Sequence, residues 1–68
     1  MKQISIKAAR INKGLTQKEL AKLLNVSNKT VSSWENGRSV PKADKIDQLC
    51  TILDMPYDQI NFLHKNRL

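Results

Sequence analysis

The stretch LTQKELAKLLNVSNKTVSSWENG, residues 15–37, predicts two short helices joined by a tight turn. Thr16 is placed to cap the first helix, and Glu19 three residues later completes a capping box. Ser27 is placed to cap the second helix in the same way. Asn25 lies between them, and asparagine tolerates the left-handed conformation that ends a helix. Because so few residues separate the two helices, they must cross at a steep angle.

This crossing is the geometry of a helix-turn-helix. Apolar spacing assigns its two helices to residues 17–24 and 28–36, preceded by a helix over 5–13. A fourth helix is predicted over 42–53 and a short fifth helix over 57–63. We therefore expect an all-α fold of five helices in one domain, 1–63, followed by a polar tail, 64–68. The apolar stripes of the second and fourth helices are expected to comprise Leu20, Leu23 and Leu24, and Ala43, Ile46, Leu49, Cys50 and Leu53.

Positive charge is concentrated in the first half of the chain. The 68 residues carry a net charge of +6. Residues 1–38 contain eight basic and two acidic side chains, whereas residues 39–68 contain four of each. The excess charge accompanies the paired helices and indicates a polyanionic partner, nucleic acid first. On charge alone, a basic surface kept for solubility is an equally good interpretation.

The outward face of the third helix carries no acidic residue. At helical spacing Lys29, Ser33 and Asn36 face outward, and Thr30 and Ser32 flank them. A merely solvated helix would be expected to carry paired acids and bases instead. Short hydrogen-bonding side chains with one lysine are suited to a groove lined with donors and acceptors.

An acid and a base are both predicted to face the core. Glu35 lies beside Trp34 on the inward side of the third helix, where an unpaired carboxylate would be costly. Arg10 lies on the inward side of the first helix. We expect the two to form an ion pair that clamps the first helix to the third. The alternative is that both lie at the rim of the core and contact water.

The chain offers no recognisable residues for an enzyme, a metal site or a cofactor. Its one histidine, His64, falls in the predicted tail, and its one cysteine, Cys50, falls on an apolar stripe. We expect no bound metal and no small-molecule ligand. Neither a membrane-spanning run nor a signal-peptide core is present, so we expect no membrane partner and a cytoplasmic, bacterial, nucleoid-associated protein.

The chain resembles the phage repressor and Cro type (XRE-like) of helix-turn-helix protein, from about Ile6 to Leu63. It departs from the family pattern at Asn25, where glycine is frequent, and at Pro56, where a serine or threonine cap is frequent. The resemblance implies a five-helix, lambda-repressor-like fold whose second and third helices read DNA. The residues that carry it are Arg10, Gly14, Leu15, Thr16, Gln17, Glu19, Leu20, Ala21, Val26, Ser27, Val31, Ser32, Trp34, Glu35, Asn36, Gly37, Pro41 and Ile60.

The resemblance implies a transcriptional regulator, most simply a repressor, that binds double-stranded DNA at specific sequences. The third helix would lie in the major groove. The resemblance also implies that Gln17 binds a phosphate and braces Asn28. The expected base contacts are Asn28, Lys29 and Ser33, with Thr30 and Ser32 next. The expected phosphate contacts are Gln17, Asn36, Arg38, Lys42 and Lys13, with Lys7 and Lys45 as further candidates.

The family generally binds inverted repeats as a homodimer, with half-sites roughly 34 Å apart. The apolar residues near the C-terminal end are the expected dimer contacts: Met55, Tyr57, Phe62 and Leu63. Phe62 and Leu63 are equally well suited to complete the core of the monomer.

Two other functions remain open at the level of sequence. The main alternative is a protein-interaction module of the same fold, such as an antitoxin, an anti-repressor or an adaptor. The acid-free outer face of the third helix argues against it. RNA is a weaker alternative, because the major groove of A-form RNA is too narrow for this helix. The short length fits either a stand-alone Cro-like regulator or the head of a longer repressor.

Overall fold

The computed structural model describes residues 2–63. They form four short α-helices, one 3₁₀ helix and two short strands, joined by loops. In chain order these elements are β1 (Ile4–Ser5), α1 (Ile6–Asn12), α2 (Gln17–Leu24), α3 (Asn28–Glu35), α4 (Ala43–Leu53), a 3₁₀ helix (Tyr57–Gln59) and β2 (Ile60–Asn61). The predicted tail, 64–68, lies outside the described residues. Within residues 2–63, no helix has the length and hydropathy needed to cross a membrane.

The first three helices each begin at a hydroxyl side chain. The side chains of Ser5, Thr16 and Ser27 each accept a hydrogen bond from the backbone N–H three residues later, at 3.0 to 3.1 Å. Glu19 Oε1 accepts in return from the Thr16 N–H at 2.8 Å, which completes the predicted capping box. These caps confirm the predicted starts of α2 and α3, because each one satisfies an N–H that the helix itself leaves unpaired.

The same three helices each end at a residue with positive φ. These residues are Gly14 (φ 78°), Asn25 (φ 58°) and Gly37 (φ 76°). After each of them, the next N–H donates back to the carbonyl five residues earlier, at 3.1, 3.0 and 2.9 Å. This pattern is the Schellman motif, which reverses the chain sharply at a helix end. The link between α2 and α3 is thereby reduced to three residues, 25–27.

The core lies where α1, α2, α3 and α4 meet, and α2 and α3 contribute Leu20, Leu24 and Val31, each at most 1% exposed. Two positions of the predicted stripes are wrong. Leu23 is 58% exposed, because the buried arc of α2 is centred nearer Leu24 and Ala21 takes the place expected for Leu23. Ala43, the first residue of α4, also faces solvent. The buried apolar residues are Ile6, Ala9, Leu20, Ala21, Leu24, Val31, Trp34, Leu49, Leu53, Ile60 and Phe62.

The predicted fifth helix over 57–63 is wrong. Only Tyr57–Gln59 is helical, and β2 follows it, pairing in parallel with β1 in the register Ile4 to Ile60. Ile60 and Phe62 are buried whereas the residue between them is half-buried, which is the two-residue period of a strand. Pro56 precedes the turn in an extended conformation and provides no side-chain cap, so the segment lacks a start for a longer helix.

An ion pair joins α1 to α3. Arg10 is a buried residue, and its Nε donates to Glu35 Oε2 at 2.7 Å. Arg10 Nη1 also donates to the Leu15 carbonyl at 2.7 Å, in the loop that leads to α2. The guanidinium therefore connects α1, the following loop and α3. In the described residues no buried side-chain nitrogen or oxygen lacks a hydrogen-bond partner, so the pair is fully accommodated.

Phe62→Ala tests the corrected C-terminal segment. Because Phe62 is 4% exposed, its truncation is expected to lower the free energy of unfolding by about 3–5 kcal/mol. Urea unfolding followed by Trp34 fluorescence measures the change. The matched control is Ile11→Ala, at a side chain of α1 that is 56% exposed, with an expected change within about 0.5 kcal/mol. Equally small effects of both variants would contradict this placement of Phe62.

Candidate nucleic-acid interface

The outward side of α3 and the loop after it form a shallow depression of about 430 Å³. We call it the α3 depression. It contains five hydroxyl side chains and two cationic ones, and no acidic side chain. The lining residues are Ser27, Lys29, Thr30, Ser32, Ser33, Arg38 and Ser39.

Hydrogen bonds between hydroxyl groups shape this surface. Ser33 and Ser39 share a hydrogen bond of 2.8 Å, which holds the loop against α3. Ser27 and Thr30 share one of 2.9 Å at the other end of the depression. The positive φ of Gly37 turns the chain back toward the helix. These contacts bring the loop and the helix together into one continuous polar surface.

Four of the five residues predicted to contact bases line the α3 depression: Lys29, Thr30, Ser32 and Ser33. Lys29 is exposed, whereas the other three are half-buried and form hydrogen bonds to neighbouring side chains. Asn28, the fifth, is exposed at the first position of α3 but does not line the depression.

The residues predicted to contact phosphates are more widely spread. Arg38 is exposed and lines the α3 depression. Asn36 is exposed beside it, and its Nδ2 donates to Ser32 Oγ at 3.2 Å. Lys42 is exposed at the start of α4. Arg38 therefore belongs to the surface that α3 presents and Asn36 borders it, whereas Lys42 does not line the α3 depression.

Two other lysines have partners within the protein. Lys13 Nζ lies 3.9 Å from Asp54 Oδ2, a contact between largely exposed side chains beyond the end of α1. Lys45 is half-buried, and its Nζ donates to the Leu24 carbonyl at the end of α2 at 2.9 Å. Neither lysine lines the α3 depression, and Lys7 is an exposed residue on α1.

Gln17 has a partner that the sequence did not indicate. It is half-buried at the first position of α2, and its Nε2 donates to Glu35 Oε1 at 2.9 Å. The expected brace to Asn28 is replaced by a bond to the carboxylate of the ion pair. The side-chain amide therefore connects the start of α2 to the end of α3.

Sequence reasoning did not assign Ser27 and Ser39 to this surface. Ser27 was interpreted as a cap alone, although its hydroxyl also bonds to the Thr30 hydroxyl. Ser39 has no local signal, because its position depends on the path of the loop between α3 and α4. That path is fixed by Gly37 and by the buried Pro41.

The four residues predicted to form dimer contacts divide between surface and core. Tyr57 and Leu63 are exposed, at 63% and 53%. Met55 is half-buried and packs against the core. Phe62 is buried in the monomer, which favours the alternative that it completes the core. The Phe62 ring stacks on that of Tyr57, with centroids 5.7 Å apart.

The acidic and sulfur-containing side chains of residues 2–63 bear on two other kinds of site, a metal site and a reactive thiol. Within residues 2–63, no group of three or more His, Cys, Asp or Glu side chains is arranged to hold a metal ion. Cys50 is half-buried on α4. Burial, and to a lesser extent the neighbouring Asp47 carboxylate, raise the pKa of the Cys50 thiol, which favours its unreactive protonated form.

Comparisons with known proteins agree with this geometry. Residues 6–60, from α1 to the start of β2, match the sequence profile of the helix-turn-helix family. Over 37 residues, or 54% of this chain, the protein is 43% identical to the 26 kDa repressor protein of Escherichia phage HK022. That match covers 16% of the phage protein, so this chain spans only a small part of its relative. Since the family match extends over most of its length, the chain belongs to the helix-turn-helix family.

Proposed function

We propose that this protein binds double-stranded DNA at specific sequences and regulates transcription as a repressor. The observation that carries the proposal is the α3 depression, which combines five hydroxyl groups with Lys29 and Arg38 and contains no acidic side chain. Membership of the helix-turn-helix family and the likeness to a phage protein named as a repressor support it.

In the proposed complex, α3 enters the major groove with its N-terminal end toward the bases. Lys29 is exposed and can donate to the O6 and N7 acceptors of guanine. Asn28 is exposed one residue earlier and matches the donor and acceptor of adenine. The hydroxyl groups of Thr30, Ser32 and Ser33 both donate and accept, so they contact several base edges with less discrimination.

The DNA backbone is held by residues that follow α3 in the chain. Arg38 and Asn36 at the end of α3 and Lys42 at the start of α4 provide two charges and one amide. Contacts of this kind fix the register of the protein on the duplex and carry little sequence information. Because they release counterions, they also make the affinity depend on salt.

We propose that the protein acts as a homodimer on an inverted repeat. The exposed Tyr57 and Leu63 provide the apolar contact surface, with the half-buried Met55 at its edge. Phe62 supports this surface from within by stacking on the Tyr57 ring. Sedimentation with and without operator DNA is expected to show a dimer. A monomer under both conditions at high concentration would contradict the proposal.

Selection of bound sequences from random DNA tests the function as a whole. The expected product is an inverted repeat whose half-sites lie roughly 34 Å apart on one face of the duplex. Enrichment of a single half-site would support sequence-specific binding and contradict the proposed homodimer. If no sequence is enriched and the protein causes no mobility shift of DNA, the proposed function is contradicted and a protein-interaction module becomes the favoured alternative.

Lys29→Ala is expected to weaken binding to the selected operator by about 1–3 kcal/mol and to relax the preference at one base-pair position. Affinities for operators with each base at that position measure the effect. The control is Lys22→Ala, which removes the same charge from the far side of α2, next to Leu23. An equal loss on every operator sequence would assign Lys29 to the DNA backbone instead.

Arg38→Ala is expected to have the opposite signature. Affinity for all operator variants should fall by a similar factor, since a phosphate contact is independent of sequence. The slope of the logarithm of affinity against the logarithm of salt concentration should become shallower by about one. Titrations at several salt concentrations measure this slope, and an unchanged slope would exclude Arg38 from the phosphate contacts.

A further inference from the structure

Two shallow depressions meet at Leu23, an apolar side chain of α2 that is 58% exposed. The first, of about 270 Å³, is lined by Leu15, Glu19, Lys22 and Leu23. The second, of about 310 Å³, is lined by Leu23 and four residues of α4: Asp47, Gln48, Thr51 and Ile52. We call these eight residues together the Leu23 face. It is apolar at its centre and polar at its rim, as a contact between proteins is.

The charges on the two sides of Leu23 are opposite in sign. Lys22 borders the first depression and Asp47 the second, and both are exposed. Among residues 2–63, neither the Lys22 ammonium nor the Asp47 carboxylate has a hydrogen bond or an ion pair. Glu19, the other charge at the rim, already accepts from the Thr16 N–H in the capping box. The Leu23 face therefore presents a base and an acid with an apolar side chain between them.

A surface with this pattern is complementary to a second copy of itself. In a twofold pairing the same patch of both copies meets, so that residue i contacts j and j contacts i. When two copies pair about Leu23, Lys22 of each can lie opposite Asp47 of the other, which gives two contacts between opposite charges. The alternative orientation places like charges opposite each other and is disfavoured. The charges thus select both the partner and the way in which the two copies face each other.

The size of the Leu23 face limits how strongly two copies can pair. It provides eight residues on each side, whereas a stable interface has about 20–30. Free copies therefore separate readily in solution. Copies held side by side on one DNA molecule have an effective concentration on the order of millimolar, which is sufficient for a weak contact. The Leu23 face shares no residue with the α3 depression or with the proposed homodimer surface, so both leave it available.

We propose that the Leu23 face is a second contact between copies of this chain, through which proteins at neighbouring operators bind cooperatively. The inference rests on the proposed function, since DNA must bring the copies together. Leu23 of each copy packs at the centre of the contact, and two pairings of Lys22 with Asp47 fix its orientation. The contact forms only when a neighbouring operator is filled, so it does not affect binding at an isolated operator.

Titration of DNA that carries one or two copies of the selected operator tests the proposal. The distance between the operators is varied in single base pairs across one helical turn, about 10.5 base pairs. At the spacing that brings two Leu23 faces together, the wild-type protein is expected to fill the second operator with about tenfold higher affinity than an isolated one. Leu23→Ser should abolish this factor. The matched control is Ile11→Ser, at a similarly exposed apolar residue outside the face, and it should retain the factor.

Reversal of the two charges tests the orientation. Lys22→Asp and Asp47→Lys each place like charges opposite one another, so each should remove the cooperative factor. The variant that combines them restores opposite charges and should recover it. The factor is a ratio of affinities for paired and isolated operators, so a uniform effect of charge on DNA binding cancels. Lys18→Asp makes the same change at an exposed residue of α2 outside the face and should leave the ratio unchanged.

The outcomes distinguish this inference from the proposed function. If the wild-type protein binds no operator, the proposed function fails and the second contact fails with it. If it binds two operators independently at every spacing, only the second contact is overturned, and the Leu23 face is left to a different protein. Cooperativity that survives Leu23→Ser would also overturn it. So would a doubly reversed variant that has the circular dichroism of the wild type but does not bind cooperatively.

Discussion

The Glu35 carboxylate belongs to α3, accepts from Arg10 of α1 and from Gln17 of α2, and is almost completely buried. Arg10 in turn donates to the Leu15 carbonyl in the loop between those two helices. Hydrophobic packing alone would allow short helices to slide or rotate against one another. Directional bonds to one buried charge leave a single arrangement, and a buried pair of this kind specifies geometry more surely than it adds stability. The orientation of α3, and hence its outward surface, follows from this arrangement.

The parts of the fold that the sequence predicted are those that local chemistry determines. Thr16 with Glu19 and Asn25 with its left-handed backbone act within one turn of chain, so α2 has the predicted bounds. The C-terminal segment is different, because β2 exists only where β1 provides a partner 56 residues away along the chain. Ile60 lies within the predicted fifth helix, and nothing within the segment indicated the strand. The burial of Phe62 was left open between core and dimer surface for the same reason.

The candidate site divides in the same way. The outward position of Lys29 and the inward position of Glu35 follow from the helical period, and the structure places the two residues accordingly. The contribution of Ser39 depends on a loop path that no periodicity describes. The Gln17 to Glu35 bond depends on the crossing angle of α2 and α3, which the sequence indicated to be steep without fixing which side chains meet. The one long-range side-chain pair that the sequence predicted was therefore Arg10 with Glu35, because a buried charge without a partner would be costly.

The hydrogen bonds within the α3 surface affect how much each of its side chains can contribute to discrimination between DNA sequences. The Ser33 hydroxyl is already bonded to Ser39, and that of Thr30 to Ser27. In the proposed complex these hydroxyls exchange one partner for another, so their net contribution is small. Lys29 is a cationic residue with an exposed side chain, and among residues 2–63 it has no hydrogen bond or ion pair that must be broken first. Discrimination between DNA sequences would then depend chiefly on Lys29 and Asn28. The hydroxyl groups would keep the surface polar and free of negative charge, in a shape that follows the groove.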